Sequence, residues 1–98
     1  MLVMVIERFK NKDPAPVGER FARLGRMMPD GVVYHASWID PAEVRCFQLM
    51  ETDDIAKLHT WAGRWADLAD FEIIPVLTSR DYWAELGKAK GSGVAAAS

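Results

Sequence analysis

Residues 44–54, VRCFQLMETDD, constrain the fold of this chain more than any other stretch. The apolar first part has the composition of a central β-strand, and the strand leads directly into a helix start. Thr52 and Asp53 can accept hydrogen bonds from the first free N–H groups of that helix. A strand–helix–strand theme lies on each side of the stretch, so the two halves of the domain are expected to meet here.

The remaining elements follow from periodicity and turn residues. Apolar runs and amphipathic stripes predict strands over residues 2–9, 32–39, 44–51 and 71–77, and helices over residues 14–28 and 53–69. Pro75 assigns the last strand to a sheet edge, because proline cannot donate a ladder hydrogen bond. This order predicts an α+β ferredoxin-like βαββαβ sandwich, with a four-stranded antiparallel sheet and two helices on one face. Residues 1–79 would form that domain, 80–87 a short C-terminal helix and 88–98 a flexible tail.

Composition narrows the class of protein. The 98 residues carry a formal charge of −2, which disfavours a dedicated nucleic-acid binder. The lone Cys46 excludes an internal disulfide and fits a reducing compartment, so we predict a cytoplasmic location. The apolar opening ends at Glu7 and Arg8, far too soon for a membrane span, and no cleavage site follows it.

Two motifs have both a structural and a binding interpretation. The first helix carries Arg20, Arg23 and Arg26 outside its apolar stripe, which predicts a solvated face; binding of an anionic ligand is the alternative. Trp61 and Trp65 are spaced by four on the apolar stripe of the second helix. Core packing is the favoured interpretation of this pair, and an aromatic binding platform is the alternative.

Several segments together resemble a known bacterial family. They are MVIERF (4–9), GRMMP (25–29), SW (37–38), RCFQLMETDD (45–54), Trp61, RW (64–65) and DFEIIPVLTS (70–79). The family is domain of unknown function 3303, and the resemblance covers residues 1–79 and implies no catalytic residue. More loosely, the topology is similar to dimeric α+β barrel proteins, in which two sheets pack face to face. That group includes cofactor-free and haem-dependent monooxygenases, isomerases, stress-response proteins and ligand-sensing domains. The fold alone does not indicate which of these functions a protein has.

The two helices should cover one face of the sheet and leave the other open. The helix side is predicted to carry Leu2, Met4, Ile6, Tyr34, Phe47, Leu49, Phe71 and Ile73. The open side is then predicted to carry Val3, Val5, Val33, Met50, Ile74 and Val76. So much exposed aliphatic surface normally marks an interface, and we predict a homodimer joined through the open sheet faces.

Polar side chains interrupt the predicted open face. They are Glu7, His35, Ser37, Cys46, Gln48 and Glu72. An apolar cavity with a few convergent polar groups is the usual form of a small-molecule site, so these six residues are the predicted ligand-binding set. The alternative is that they hydrogen-bond to one another or lie at the rim.

The predicted ligand-binding set allows three kinds of chemistry: metal binding, nucleophilic catalysis and general base catalysis. His35, Cys46 and a glutamate could ligate a metal, although no paired spacing supports such a site. His35 and Cys46 could form a thiolate–imidazole pair, and Glu7 or Glu72 could act as a general base. The sequence contains no phosphate loop, nucleophile elbow or dinucleotide fingerprint, so no catalytic residue and no cofactor is assigned.

Two functional hypotheses remain. In the first, the homodimer binds a small, largely apolar organic molecule and oxidises or isomerises it, with His35, Gln48 and Glu7 orienting it. In the second, the protein is a non-catalytic dimerisation or ligand-sensing module. An RNA-binding sheet is disfavoured, because the open face is predicted to lack stacking aromatics and the chain is acidic.

Overall fold

The chain folds in the predicted βαββαβ order, followed by one further helix. The structure is a computed structural model and describes residues 1–90. Its elements are β1 (Leu2–Phe9), α1 (Ala15–Leu24), β2 (Val32–Asp40), β3 (Arg45–Thr52), α2 (Ile55–Gly63), β4 (Ala69–Val76) and α3 (Ser79–Lys90). The last part of the predicted tail, residues 91–98, lies outside the described residues.

The four strands form one antiparallel sheet in the order β2-β3-β1-β4. β1 lies between β3 and β4, so that Val5 is opposite both Gln48 and Ile73. β4, which contains Pro75, lies at an edge and pairs with β1 alone among the strands described. The predicted α+β ferredoxin-like sandwich and its proline-bearing edge strand are therefore confirmed.

α1 is shorter than predicted. It ends at Leu24 because Gly25 adopts a left-handed φ of 68° and donates its N–H to the Phe21 carbonyl at 2.8 Å. The predicted helix continued to residue 28, since the apolar spacing extends across the glycine. Arg26 therefore lies in the connection after the helix, where its side chain takes a direction that a helical residue could not.

α2 starts two residues later than predicted and ends earlier. Its cap is Asp54, whose carboxylate accepts a hydrogen bond from the Ala56 N–H at 3.0 Å, so the assignment of the cap to Asp53 was wrong. Thr52 does take part, because its hydroxyl oxygen accepts the Asp54 N–H at 3.1 Å. The helix ends at Gly63, and turns carry the chain to β4.

The helices cover the face opposite to the one predicted. The side chains of β1 and β3 buried on the helix side are Val3, Val5, Glu7, Phe9, Cys46, Gln48, Met50 and Thr52. Phe71 and Ile73 lie on that side as predicted, but Leu2, Met4 and Ile6 lie on the other. Both alternate sets of β1 are apolar, so apolar character alone does not decide which of them the helices cover.

Packing explains which set is covered. Leu58 and Trp61 of α2 are fully buried against the sheet, and Trp61 packs edge-on to Phe71 with ring centroids 5.4 Å apart. Side chains as large as these fit above small ones, and Val3 and Val5 provide that space. The core thus lies between α2 and the central strands.

β2 contains a bulge that separates Tyr34 from Leu49, and His35 from Gln48, with which they were predicted to share a face. The register shifts between Tyr34 and Ala36, and His35 is the extra residue. Tyr34 is therefore paired with Met50 on the helix side. After the bulge, Ser37 pairs with Gln48 and Ile39 with Cys46, so both lie on the helix side.

α3 follows β4 after a short connection. Thr78 caps it, since its hydroxyl oxygen accepts the Asp81 N–H at 3.0 Å, and Tyr82 packs edge-on to Trp83 with ring centroids 5.3 Å apart. The helix extends to Lys90, beyond the predicted span of 80–87. Within residues 1–90, no helix combines the length and the apolar character that crossing a membrane requires.

Candidate ligand site

A cavity of about 290 Å³ lies between α1 and the helix side of the sheet. Its walls are mostly apolar and come from all layers of the fold: Phe9, Pro14, Val17, Gly18, Phe21, Ile39, Trp61 and Trp65. Its polar lining comes from β1, β2, β3 and the connection after α1: Glu7, Arg26, Ser37, Cys46 and Gln48. An apolar cavity with a few convergent polar groups has the composition of a small-molecule site.

Glu7 and Gln48 form the polar centre of this cavity. Strand alternation aims them at the helix side, where Glu7 is 5% exposed and Gln48 4%. The Gln48 amide nitrogen donates to Glu7 Oε1 at 3.0 Å, and Gln48 Oε1 accepts from Arg26 Nε at 3.4 Å. A hydrogen-bonded chain therefore joins a carboxyl, an amide and a guanidinium, which we call the Glu7–Gln48–Arg26 chain.

The backbone of Arg26 is held by both buried indoles. Its carbonyl accepts hydrogen bonds from Trp61 Nε1 at 2.8 Å and from Trp65 Nε1 at 3.2 Å. The next residue, Met27, has a left-handed φ of 56°, and its carbonyl accepts from Arg64 Nη1 at 2.5 Å. These bonds hold a strained backbone segment in place, and strain of this kind is concentrated at functional sites.

The Arg26 guanidinium lies against two aromatic rings. Its central carbon is 3.8 Å from the centroid of the Tyr34 ring and 5.2 Å from that of Phe21. Stacking of this kind restricts the guanidinium plane and favours its charge over the ring faces. The side chain is thus oriented by its surroundings as well as by its backbone.

α1 closes the cavity without burying any residue of its own. Arg20 holds the helix to the segment after α2, because its guanidinium donates two hydrogen bonds to the Asp67 carboxylate, at 2.8 and 2.6 Å. This pairing keeps the pKa of Asp67 below its ordinary value. The same guanidinium lies 5.6 Å from the centroid of the Trp65 ring, so α1 lies across the cavity and is tethered mainly through polar contacts.

Burial changes the acid–base properties of Glu7. Loss of solvation raises the pKa of its carboxyl from 4.5 to about 7, although the hydrogen bond from Gln48 and the positive charge of Arg26 act in the opposite direction. Both protonation states are therefore populated near neutral pH. A carboxyl of this kind can act either as a general acid or as a general base.

Cys46 is a poor candidate for a nucleophile. Burial, together with the negative charge of Glu7, raises the pKa of its thiol from 9.0 to about 11. The thiol therefore stays protonated at neutral pH, and the thiolate is the reactive form. Cys46 acts as a small, buried wall residue of the cavity.

Residues 1–90 match the protein family described as Domain of unknown function (DUF3303). The chain belongs to this family. The match extends past residue 79, where the resemblance was predicted to end, and includes α3. No curated protein and no solved structure matches the chain. The DUF3303 match assigns no activity, so the chemistry of the site rests on its geometry.

The cavity unites part of the predicted ligand-binding set. Glu7, Ser37, Cys46 and Gln48 all line it, but on the helix side and not on the open face where they were predicted. His35 and Glu72 lie on the opposite face of the sheet.

These two residues have partners of their own there. A hydrogen bond of 2.9 Å joins His35 Nε2 to Glu51, and Glu72 pairs with Arg8. That any of the six residues of the predicted ligand-binding set binds a ligand remains a prediction.

His35 and Cys46 lie on opposite faces of the sheet, which excludes both the metal site and the thiolate–imidazole pair. A sheet lies between the two side chains, so they form neither a metal site nor a thiolate–imidazole pair. Within residues 1–90, no three metal-ligating side chains cluster. Of the two possible general bases, Glu7 is buried, whereas the side chain of Glu72 is half exposed.

Arg26 is the important site residue that the predicted ligand-binding set does not include, although anion binding was the alternative interpretation of its arginine row. Its row of arginines predicted a solvated face, and Arg23 is indeed exposed. The signal that distinguishes Arg26 is Gly25, a helix-ending residue directly before it. The core interpretation of Trp61 and Trp65 is confirmed, although both also line the cavity.

The open face of the sheet is apolar, as predicted. Val33, Ile74 and Val76 lie on it as predicted, whereas Val3, Val5 and Met50 lie on the helix side. The open face carries Leu2, Met4, Ile6, Val33, Ala36, Trp38, Phe47, Leu49, Ile74 and Val76. Trp38 is 55% exposed and Ile74 40%. The statement that this face lacks aromatics was wrong, since Trp38 and Phe47 are cross-strand partners on it.

Proposed function

We propose that this DUF3303 domain binds a small, largely apolar organic molecule in the cavity between α1 and the sheet, and that Glu7 exchanges a proton with it. The observation that carries the proposal is the convergence of the Glu7–Gln48–Arg26 chain on an otherwise apolar cavity. Isomerisation is the reaction class that fits such a carboxyl. A base removes a proton from carbon and its conjugate acid returns one elsewhere, so no net change of atoms or electrons is needed.

The size of the cavity limits the ligand. At about 290 Å³ it lies at the lower end of the range for small-molecule sites, roughly 300–1,000 Å³. The aromatic walls from Phe9, Phe21 and Trp65 would bury an apolar body. The Glu7 and Gln48 side chains would orient one polar group of that body.

Binding can be followed through the two indoles of the cavity. The chain has four tryptophans, so the Trp38→Phe/Trp83→Phe double variant retains Trp61 and Trp65 alone as reporters. Fluorescence titration and thermal-shift measurements with a panel of small aromatic and alicyclic compounds should find ligands that stabilise this protein. Gln48→Met keeps the side-chain length but loses both hydrogen bonds, and it should weaken binding by roughly tenfold or more.

His35→Ala is the matched control for that experiment. His35 lies on the opposite face, bonded to Glu51, so its removal should leave the affinity of every cavity ligand unchanged. The proposal fails if no compound of the panel binds, or if His35→Ala weakens binding as much as Gln48→Met does.

A second candidate, a dimerisation module, is favoured by the apolar open face. We propose that a second copy of the chain covers it through two-fold pairing of identical sheet faces. Two charged pairs at its margins, Arg8 with Glu72 and Arg45 with Asp40, each carry no net charge. The cavity lies on the other side of the sheet, so each protomer would keep its own site.

Sedimentation velocity tests this assembly. Trp38→Glu places a charge on the open face at a position that is already 55% exposed, and it should weaken dimerisation by roughly a hundredfold, because a carboxylate would be desolvated in the interface. Leu24→Glu is the control, since Leu24 is equally exposed but lies on α1. A single sedimenting chain at micromolar concentration in the unmodified protein would rule the dimer out.

A further inference from the structure

We infer that the molecule bound in the cavity is a small apolar monocarboxylate, whose carboxylate group is held by the Arg26 guanidinium beside the carboxyl of Glu7. The inference rests on the proposed function and narrows its ligand class. It is carried by the state of Arg26, which is partly buried, lines the cavity and pairs with no carboxylate of residues 1–90.

Arg26 has a charge without a matching carboxylate. Within residues 1–90, no carboxylate oxygen lies within 4.0 Å of its guanidinium nitrogens, whereas Arg20 pairs with Asp67 and Arg45 with Asp40. Its side chain makes one hydrogen bond to the described residues, through Nε to Gln48 at 3.4 Å. The two terminal nitrogens are left to bind an acceptor, and a carboxylate matches their fork with two parallel hydrogen bonds.

The surroundings of Arg26 prepare it for this role. The Tyr34 ring restricts the plane of the guanidinium, and the two indoles restrict its backbone. Little rotational freedom is therefore lost when an anion binds, which favours affinity. The apolar walls beside it suit an aromatic or aliphatic body attached to the anionic group.

The charge of the cavity favours a single negative charge. Glu7 and Arg26 are the charged side chains that line it within the described part of the chain. A monocarboxylate satisfies the one guanidinium. A phosphate dianion would have no second cation and would be repelled by ionised Glu7.

Binding of a carboxylate should depend on the protonation of Glu7. The groups facing Glu7 are Gln48 and Cys46 from β3, Ser37 from β2, Arg26 after α1, and neutral side chains of α1 and α2. Cys46 keeps its proton across neutral pH. Glu7 alone among these groups changes charge near pH 7, so affinity for a carboxylate should fall as the pH rises through that value.

Benzoate and benzamide form a matched pair of probes, nearly equal in shape and different in charge. In the Trp38→Phe/Trp83→Phe background at pH 6, benzoate should bind roughly tenfold or more tightly than benzamide, a ratio typical of one charge-assisted contact. Arg26→Gln should abolish this preference. Arg23→Gln, which removes an exposed arginine of α1 outside the cavity, should preserve it.

The pH profile gives a second measurement that needs no change at Arg26. Between pH 6 and pH 8 the affinity for benzoate should fall by roughly tenfold, as expected for linkage to one proton, and Glu7→Gln should abolish most of this fall. Benzamide should show no comparable dependence in either protein.

Each contrary result has a distinct meaning. If benzamide binds as well as benzoate, or if the benzoate profile is flat, the carboxylate assignment is wrong while the cavity remains a ligand site. Tighter binding of phenylphosphonate than of benzoate would also overturn the assignment. If neither probe nor any compound of the wider panel binds, the proposed function itself fails.

Discussion

Glu7→Gln is expected to stabilise the folded protein by about 3 kcal/mol at pH 8 and to leave its stability nearly unchanged at pH 4, an upper estimate from the change in pKa. The carboxyl has a pKa of 4.5 in its ordinary state and about 7 in the fold. Between those values the folded chain holds a proton that the unfolded chain has released. The free energy of unfolding of the unmodified protein therefore falls as the pH rises through this window.

The substitution isolates this effect well. A glutamine at position 7 retains an oxygen that accepts the hydrogen bond from the Gln48 amide, and it carries no charge to desolvate. Urea unfolding at pH 4 and pH 8 measures the difference between the two proteins at each pH.

Glu72→Gln is the control for this experiment. Its carboxyl is half exposed on the other face, so the pH dependence of stability should remain as in the unmodified protein. Equal pH dependence in Glu7→Gln and the unmodified protein would contradict the burial of an ionisable Glu7.

Trp61→Ala is expected to lower the free energy of unfolding by about 4 kcal/mol, a large part of the stability of a domain this size. Trp61 is 1% exposed and packs edge-on against Phe71. Its indole also donates the 2.8 Å hydrogen bond to the Arg26 carbonyl, which would be left with the longer bond from Trp65. The loss thus combines a large cavity in the core with a weakened connection after α1.

Chemical denaturation of Trp61→Ala and of a control variant on the same helix, His59→Ala, tests this expectation. His59→Ala removes an exposed side chain of α2, and its effect should stay within about 0.5 kcal/mol, as is usual for surface positions. A loss below about 1 kcal/mol in Trp61→Ala would contradict the central place of this residue in the core. Trp61→Phe should fall between the two, because it keeps most of the apolar volume but has no donor.

The order and type of the elements could be predicted because their signals are local. The alternation of β1, the amphipathic stripe of α2 and the effect of Pro75 on a ladder each act within a few residues. The helix ends were less accurate. Gly25 ends α1 although the apolar spacing continues past it, and α2 ends at Gly63 without a left-handed glycine, so periodicity alone predicts both helices too long.

The composition of the site was partly predictable, and its position was not. Alternation in β1 and β3 places Glu7, Cys46 and Gln48 on one face whatever covers that face, so their proximity follows from register. His35 was assigned to the same set because the bulge in β2 was not foreseen. The position of the Arg26 side chain could not be predicted, because it depends on the backbone conformation of the connection after α1.

By itself, the sequence determined the α+β order, the edge position of β4 and the grouping of polar side chains along neighbouring strands, because each depends on short-range spacing. Only the tertiary structure decided which sheet face the helices cover and therefore which residues line a cavity. Both faces of β1 are apolar, and the hydrophobic effect is non-directional, so it favours burial of either face. The choice depends on the shape of Trp61 and Leu58 above Val3 and Val5, which is a property of packing between distant parts of the chain.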